Sequence, residues 1–347
     1  MRKIIIGLAL LLGGYFVFAK KAEVQTIFET LQRGDWRFVL LSLLVLVVWL
    51  FNVAASYLSI YKALKINEKI EKLVVMAAAA NFINVVAPSV GMGGMAVFIS
   101  EAKRKGYSAA RVTVAGVLYV LFEYVGFLCV LALGLLVLFR RNNLNSAELV
   151  ASGILVCLAV FLTVMMVLGM YSASALGRVL AGLAGLVNRI LRPFIGREYL
   201  SIRRAHAFAH DVAEGLHELR REPKNLLLPG ALALSSKAVL IFILMLMFLA
   251  FKQPFSIGTL IGGFSIGYLF LIVSPTPAGI GVVEGALTLA LRSLNVPLAA
   301  AAIIALSYRG ITFWVPLLVG MGAFRWLAKG SETTKPVKST PHWVNDL

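Results

Sequence analysis

Four ionisable side chains stand inside long apolar stretches of this sequence. Glu284 opens "EGALTLAL" three residues after Gly281, and Arg309 lies within "LSYRGITFWVP". Glu123 lies in "YVLFEYVGF" and Lys237 in "LSSKAVLIF". Charges at bilayer depth are costly, and those that are found there mark substrate pathways or ion pairs. An arginine suits a phosphate because its planar guanidinium forms two parallel hydrogen bonds.

Each of these charges also has a purely structural interpretation. Glu284 would stand in the first turn of a helix, where the dipole favours a carboxylate, and could simply cap that helix. Arg309 could pair with Glu284 only to fix packing. The residues leave both interpretations open, as they do for Glu123 and Lys237.

Helix-breaking residues cluster at the centres of two apolar stretches, 73–102 and 257–291. They are Pro88, Gly91, Gly93 and Gly94 in the first stretch, and Pro275, Pro277, Gly279 and Gly281 in the second. The piece after each break spans roughly 15–21 Å at about 1.5 Å per residue, which is too short for a hydrocarbon core of about 30 Å. Each stretch is therefore predicted to be a re-entrant hairpin or a broken helix, enclosed by protein or water.

The breaks also offer binding groups. A helix that starts at a break presents free N–H groups and a favourable dipole to an anion such as a lipid phosphate. The alternative is that the glycines serve close helix packing alone. Asn81 and Asn84 precede the first break and could bond a head group or the broken backbone.

The composition predicts an all-α polytopic membrane protein. Sixty per cent of the residues are hydrophobic and only 14% are charged, whereas about a quarter are charged in soluble domains. Six full spans plus the two hairpins are expected within one transmembrane domain, 1–330. Within it, 174–222 has apolar residues at helical spacing with arginines opposite, which predicts basic amphipathic helices on the inner leaflet. The polar tail 331–347 is predicted to be disordered.

The basic residues predict the orientation. They cluster at Lys62 to Lys72, at Lys103 to Arg111, in 174–224 and in the tail, all of which belong in the cytoplasm under the positive-inside rule, together with both termini. The predicted loop 20–36 is also partly basic, but this orientation places it on the outer side of the membrane.

Three full crossings separate the two hairpins, so they would enter from opposite faces and meet near the midplane. The segments "APSVGMGG" and "SPTPAGIG", with similar text after each, suggest an inverted repeat, which is typical of transporters. Shared Ala, Gly and Pro alone could also explain the similarity.

Several functions receive no support from the residues. The 33 basic residues fit cytoplasmic loops and anionic lipids better than nucleic acid. Cys129 and Cys157 are predicted to be buried, and no disulfide or metal-ligand spacing occurs. His206, His210 and His217 share one side of a basic interfacial helix, and no metal or cofactor is predicted. No hydrolytic or nucleotide-binding motif is present.

The sequence resembles the lysylphosphatidylglycerol synthase transmembrane-region family, the flippase-like domain of the multiple peptide resistance factor. The resemblance rests on "NFINVVAPSVGMGG" and on "SPTPAGIGVVEGALTLALRSLNVPLAAAAIIALSYRG". It implies movement of a lipid between leaflets of the bacterial inner membrane, without enzymatic activity. It leaves three substrates open: an anionic phospholipid, a hopanoid and a polyprenyl-linked lipid. It also leaves open whether the protein forms a homodimer.

Two alternatives accompany this interpretation. One is a scaffold that recruits lipid-synthesis enzymes. The other is a membrane glycosyltransferase that uses a lipid-phosphate sugar, which would need exposed acids near the outer face. Only Glu23, Glu29 and Asp35 are available there.

Overall fold

The computed structural model describes residues 21–86, 92–140, 146–195, 209, 212–213, 223–274 and 276–330, and these residues form helices without strands. The prediction of an all-α polytopic membrane protein is confirmed. Five described helices are long and apolar enough to cross a membrane: Trp36–Ala63, Ala109–Arg140, Ser152–Tyr171, Lys224–Ala250 and Leu298–Lys329. The sixth predicted span, the apolar run 4–19, lies outside the described residues, as does the tail 331–347.

The helices follow one another with short connections. In chain order they are α1 (Lys21–Gln32), α2 (Trp36–Ala63), α3 (Ile70–Val86), α4 (Met92–Arg104), α5 (Ala109–Arg140), α6 (Ser146–Tyr171), α7 (Ala173–Ile195), α8 (Leu227–Ala250), α9 (Ile257–Val273), α10 (Val282–Ser293), α11 (Leu298–Arg309) and α12 (Val315–Gly330). A π-helical segment, Gly310–Trp314, joins α11 to α12.

Helices α2 and α8 run antiparallel and define the two ends of the bundle. The Asn52 amide donates to Ser235 over 2.7 Å, and the Asp35 N–H donates to the Ala250 carbonyl over 2.9 Å. The start of α2 therefore lies beside the end of α8, at what is called here the far end. The opposite end, where α2 ends near Lys62 and Lys65, is called the basic end.

Helices α3 and α4 form the first hairpin, and both of its termini lie at the basic end. Lys105 bonds Glu68 over 2.7 Å, and Lys72 bonds Glu101 over 2.6 Å, which ties the entry of the hairpin to its exit. Helix α12 packs along α3 so closely that Gly320 faces the backbone of Ala78.

Helices α9 and α10 form the second hairpin, whose termini lie at the far end. Gly263 faces Leu291 and Gly267 faces Leu287, so the two helices are antiparallel. The Ser265 hydroxyl donates to the Val130 carbonyl of α5 over 3.2 Å. The two hairpins thus open toward opposite ends of the bundle, and α4 and α10 have 13 and 12 residues, in line with the short pieces predicted from the sequence.

The structure corrects two expectations. Residues 21–32 form helix α1 rather than a loop, and Ile27 of this helix packs against Gly310. Cys129 and Cys157 are exposed rather than buried, because they lie on the outward faces of apolar helices, where a membrane supplies the apolar surroundings. Helix α7 is amphipathic as predicted, with Leu176 buried and Arg178 and Arg189 exposed. Of the second predicted amphipathic piece, only 209 and 212–213 are described.

Candidate functional site

Glu284 and Arg309 form a buried ion pair at the second break. The Arg309 Nε atom donates to Glu284 Oε1 over 2.9 Å, and the Arg309 side chain is 4% exposed. The other carboxylate oxygen of Glu284 accepts the N–H of Gly281 over 2.8 Å. Both structural interpretations of Glu284 are therefore realised together, since it caps α10 and pairs with Arg309.

Arg309 also holds the non-helical backbone between α9 and α10. Its Nη2 atom donates to the Ala278 carbonyl over 2.9 Å, and its guanidinium carbon lies 4.5 Å from the centre of the Phe313 ring. A carbonyl outside a helix lacks the usual intrahelical donor. One side chain thus satisfies both an acid and an unpaired carbonyl at the break.

Glycine is required at two positions of this break. Gly279 and Gly281 have φ angles of 72° and 80°, in the left-handed region that residues with a Cβ avoid. A Cβ at Gly279 would also stand 2.4 Å from Val283 Cγ2. Pro277 lies in a short 3-10 turn with Gly279, and Pro275 lies outside the described residues.

Asn84 supports the first break through the backbone. Its Oδ1 accepts the N–H of Gly94 over 2.7 Å, and a Cβ on Gly94 would collide with this amide at 2.7 Å. Of the two alternatives for Asn84, the bond to the broken backbone is the one observed. Gly93 lies beside Gly94 in α4, whereas Pro88 and Gly91 fall outside the described residues.

Glu123 and Lys237 form a second buried ion pair, and Tyr268 completes it. The Lys237 ammonium has no exposed surface and contacts the Glu123 carboxylate directly. It also donates to the Tyr268 hydroxyl over 2.7 Å. An ammonium can only donate, so the Tyr268 oxygen accepts and the hydroxyl proton points elsewhere.

A cavity of about 200 Å³ lies between the two hairpins and is called here the larger cavity. Asn81 and Val85 of the first hairpin line it, together with Ala278 and Val283 at the second break. Tyr268 and Arg309 line it as well. Arg309, which is paired with Glu284, and Tyr268, which accepts from Lys237, therefore line the same cavity.

A second cavity of about 100 Å³, called here the smaller cavity, adjoins the first on the side of the first hairpin. Trp49 and Asn81 line both cavities. The polar side chains of the smaller cavity are Tyr57, Asn81, Asn84 and Tyr119. Asn81 thus stands where the two spaces meet.

The sequence model of one family, the lysylphosphatidylglycerol synthase TM region, matches residues 4–320. The chain belongs to this family. No curated protein matches the chain. The resemblance inferred from the two glycine-containing motifs is thereby confirmed, and it carries a lipid-related function in the membrane.

Within this lysylphosphatidylglycerol synthase TM-region domain, one anion-site expectation needs correction. The Gly281 N–H at the start of α10 is occupied by Glu284, so this donor is not free for a ligand while the carboxylate caps the helix. Arg309 and Tyr268 are among the polar residues that line the larger cavity, together with Asn81, Tyr308 and Thr312.

Two functional candidates were missed by reasoning from the sequence. Tyr268 is one aromatic residue in an apolar run, and its pairing with Lys237 joins residues 31 positions apart. Trp49 donates to Ser236 over 3.1 Å, which fixes its ring between the cavities. A lysine in an apolar stretch indicates that an acceptor such as a hydroxyl lies nearby, but the sequence does not indicate which hydroxyl it is. The described residues contain no cluster of metal ligands, and the three histidines considered earlier lie outside them.

Proposed function

We propose that this protein is a lipid flippase that moves a phosphate-bearing lipid between the leaflets of the bacterial inner membrane. Its basic end and both termini would lie in the cytoplasm, since basic loops favour that side. It would act as a carrier and not as an enzyme. Described helices long enough to cross a membrane and membership of a lipid-related family support the proposal.

The observation that carries it is the larger cavity between the two hairpins, with Arg309 in its wall. The hairpins would be re-entrant elements of an inverted repeat, one entering from each leaflet. Transporters built from such repeats place their substrate site where broken helices meet at mid-membrane. A polar head group would occupy the cavity while the acyl chains stay in the bilayer.

Arg309 and Tyr268 would bind the phosphate. An arginine without a partner at this depth would be strongly destabilising, and Glu284 supplies that partner when the cavity is empty. An incoming phosphate would replace the carboxylate as the partner of Arg309. Tyr268 would add its hydroxyl proton, because Lys237 already occupies the oxygen as a donor. The exchange lowers the cost of moving a charged head group through the bilayer.

A leaflet-sidedness assay tests this proposal. The purified protein is placed in vesicles with a fluorescent phospholipid in both leaflets, and a membrane-impermeant quencher reports how fast the inner pool reaches the outer leaflet. Wild type should accelerate the exchange, and the paired substitution of Glu284→Gln with Arg309→Gln should abolish it. The pair is changed together because removal of one partner alone leaves a buried charge.

The control is Arg292→Gln, at the exposed last turn of α10. It removes an arginine from the same hairpin without touching the larger cavity, so transport should stay at the wild-type rate. Wild-type transport by the Glu284/Arg309 double variant would refute this mechanism. Absence of transport by the folded wild-type protein would refute the function.

A further inference from the structure

We infer that the smaller cavity is a second head-group site that takes uncharged hydroxyl groups. The substrate would then be a phosphodiester lipid whose head group ends in neutral hydroxyls, such as a glycerol or a sugar. This inference rests on the proposed flippase function and names the substrate class of the same site.

The position of the smaller cavity follows from the walls that it shares. Trp49 and Asn81 line both cavities, and the bond from Trp49 to Ser236 fixes the indole. A lipid whose phosphate lies against Arg309 in the larger cavity can place its terminal head-group atoms beside Asn81, which lines the same cavity. The smaller cavity is the space that those atoms enter.

Among the described residues, the lining of the smaller cavity carries no acid or base. Its described polar residues are two asparagines and two tyrosines, and the rest are apolar: Trp49, Leu50, Val53, Ala77, Ala80 and Phe98. An ionised group moved from water into such surroundings lacks a compensating charge and is strongly disfavoured. A second phosphate, a carboxylate or an ammonium is thus a poor occupant, while a neutral polar group is tolerated.

The ring of Tyr57 does not offer a cation site either. Tyr57 is stacked between Phe98 and Tyr119, with ring centres 4.4 Å and 4.2 Å apart. Both faces of its ring are therefore covered, and only its edge is available to the cavity. Cations bind the electron-rich face of an aromatic ring, whereas the edge carries the positive part of the quadrupole. An ammonium head group therefore gains no cation–π contact from Tyr57.

The nearby acid does not change this balance. Glu123 lies one helical turn after Tyr119 on α5, but its carboxylate is already paired with the buried ammonium of Lys237. The pair has no net charge, so it does not supply an unmatched anion for a cationic head group. The chemistry of the smaller cavity remains that of amides and phenols.

Amides and phenols match hydroxyl groups. An asparagine side chain offers two donors and one acceptor oxygen, and each hydroxyl of a polyol both donates and accepts. The described residues provide no hydrogen-bond partner for the Asn81 amide. A cavity of about 100 Å³ holds about three water molecules of roughly 30 Å³ each, so a short polyol of similar bulk fits.

The experiment compares four fluorescent lipids in wild-type vesicles, and the three glycerophospholipids among them have the same acyl chains. Phosphatidylglycerol carries the neutral hydroxyls, phosphatidylethanolamine carries an ammonium, and phosphatidic acid carries neither. A glycosylated polyprenyl phosphate separates a sugar from a glycerol as the source of the hydroxyls. At limiting lipid, one or both hydroxyl-bearing lipids should be transported about threefold to tenfold faster than the other two, as one or two hydrogen bonds provide.

Two variants locate this preference in the smaller cavity. Asn81→Leu removes the amide at similar size, and Tyr57→Phe removes a hydroxyl while leaving the aromatic stack intact. Each should reduce transport of the hydroxyl-bearing lipid about threefold to tenfold. Tyr57 does not line the larger cavity, so Tyr57→Phe should leave phosphatidic acid at its wild-type rate. Tyr57→Phe preserves the packing and thus keeps the test valid if Asn81→Leu does not fold.

The matched controls lie on α2, outside both cavities. Asn52→Leu removes an amide that bonds Ser235, and Tyr61→Phe removes a hydroxyl one turn after Tyr57. Both should retain the wild-type ratio between lipids, even where Asn52→Leu lowers thermal stability. Equal rates for all four lipids would overturn the inference while leaving the flippase proposal intact. So would an equal loss for phosphatidic acid in Tyr57→Phe. No transport of any lipid would instead refute the proposed function.

Discussion

Lys237 is fully buried, and two neighbours compensate its charge. Glu123 supplies the opposite charge and Tyr268 supplies a neutral acceptor. At the second break the arrangement differs, because Arg309 divides its donors between the Glu284 carboxylate and a backbone carbonyl. The first pair is closed by side chains alone and the second also depends on backbone that a hairpin movement would displace. We therefore expect the first pair to contribute mainly to stability and the second to respond to a ligand.

Replacement of Lys237 by methionine should strongly destabilise the protein. The methionine fills the space of the lysine stem, but the Glu123 carboxylate loses its only described salt-bridge partner. Breaking a buried ion pair in this way costs about 3–5 kcal/mol. Thermal unfolding in detergent, followed by loss of helical circular dichroism, measures the change.

The matched control for Lys237→Met is the double variant with Glu123→Gln. It removes the orphan charge, so it should recover most of the lost stability. If the single and the double variants unfold at the same temperature, the carboxylate is not the source of the destabilisation and the account of this pair is wrong.

At the residue scale, the sequence indicated which charged residues lie at membrane depth but did not indicate all of their partners. Glu284 and a lipid phosphate were the two partners considered for Arg309, and the pair with Glu284 is observed. Asn84 was predicted to bond either a ligand or the backbone, and the backbone bond is observed. The sequence did not indicate that Tyr268 accepts from Lys237, because this contact depends on how α8 and α9 cross in space.

At the scale of the helices, the packing of α3 against α12 depends on a close approach of their backbones. A Cβ at Gly320 would stand 2.4 Å from the carbonyl oxygen of Ala78. Gly320→Ala should force the helices apart and destabilise the protein by about 1–3 kcal/mol, the usual cost of overpacking. The midpoint of thermal unfolding is the measurement.

Gly322 provides the matched control on the same helix. A Cβ at this position meets nothing within 4 Å, so Gly322→Ala should be neutral or stabilise by up to about 1 kcal/mol through helix propensity. Equal effects at Gly320 and Gly322 would show that the close approach does not determine stability.

The termini of the first hairpin should respond to acid through Glu101, which lies at the basic end outside the candidate spans. Burial raises the pKa of Glu101, but the hydrogen bonds and positive charges of Lys72 and Arg104 together outweigh it, and the net pKa lies below the ordinary 4.5. The unfolded chain thus binds the proton first as pH falls. The stabilisation is fully present above pH 4.5 and is lost as pH falls through the lower folded pKa.

Unfolding midpoints measured from neutral pH into this acidic range test the role of Glu101. Wild type should lose stability more steeply than Glu101→Gln, which lacks the titrating group, so the difference between them should shrink on acidification. Glu71→Gln, in the first turn of α3, is the control and should keep the acid-induced loss of stability that wild type shows. A constant difference between wild type and Glu101→Gln across the range would contradict this assignment.

Sequence patterns predicted the helix breaks but not all of the elements. Proline and glycine are strong local signals, and both breaks occur where they cluster. The helix α1 was missed because its mixed polar and apolar residues resemble a loop. The π-helical turn after Arg309 was missed because no residue type specifies it, and it lies where Ile27 of α1 packs against Gly310. The inverted repeat stays a prediction.

At the scale of the whole molecule, the main feature is that the two hairpins open toward opposite ends of the bundle. Ion pairs hold the first hairpin's termini together at the basic end, and the antiparallel contacts of α9 with α10 hold the second hairpin's termini at the far end. The opposite orientation of the two hairpins does not follow from any single helix. It depends on an odd number of crossings between the hairpins, which is a property of the chain order.

This geometry predicts labelling from opposite sides of a membrane. Lys69, before α3, and Arg292, at the end of α10, are both exposed. In a background with Cys129→Ala and Cys157→Ala, a single cysteine replaces one or the other in cells. A membrane-impermeant thiol reagent added outside should label Arg292→Cys at once and Lys69→Cys only after the membrane is opened. Inside-out vesicles should reverse this order, which controls for intrinsic reactivity. Labelling of both positions from one side would mean that the hairpins do not open to opposite leaflets, and a head-group path between them would then have only one entrance.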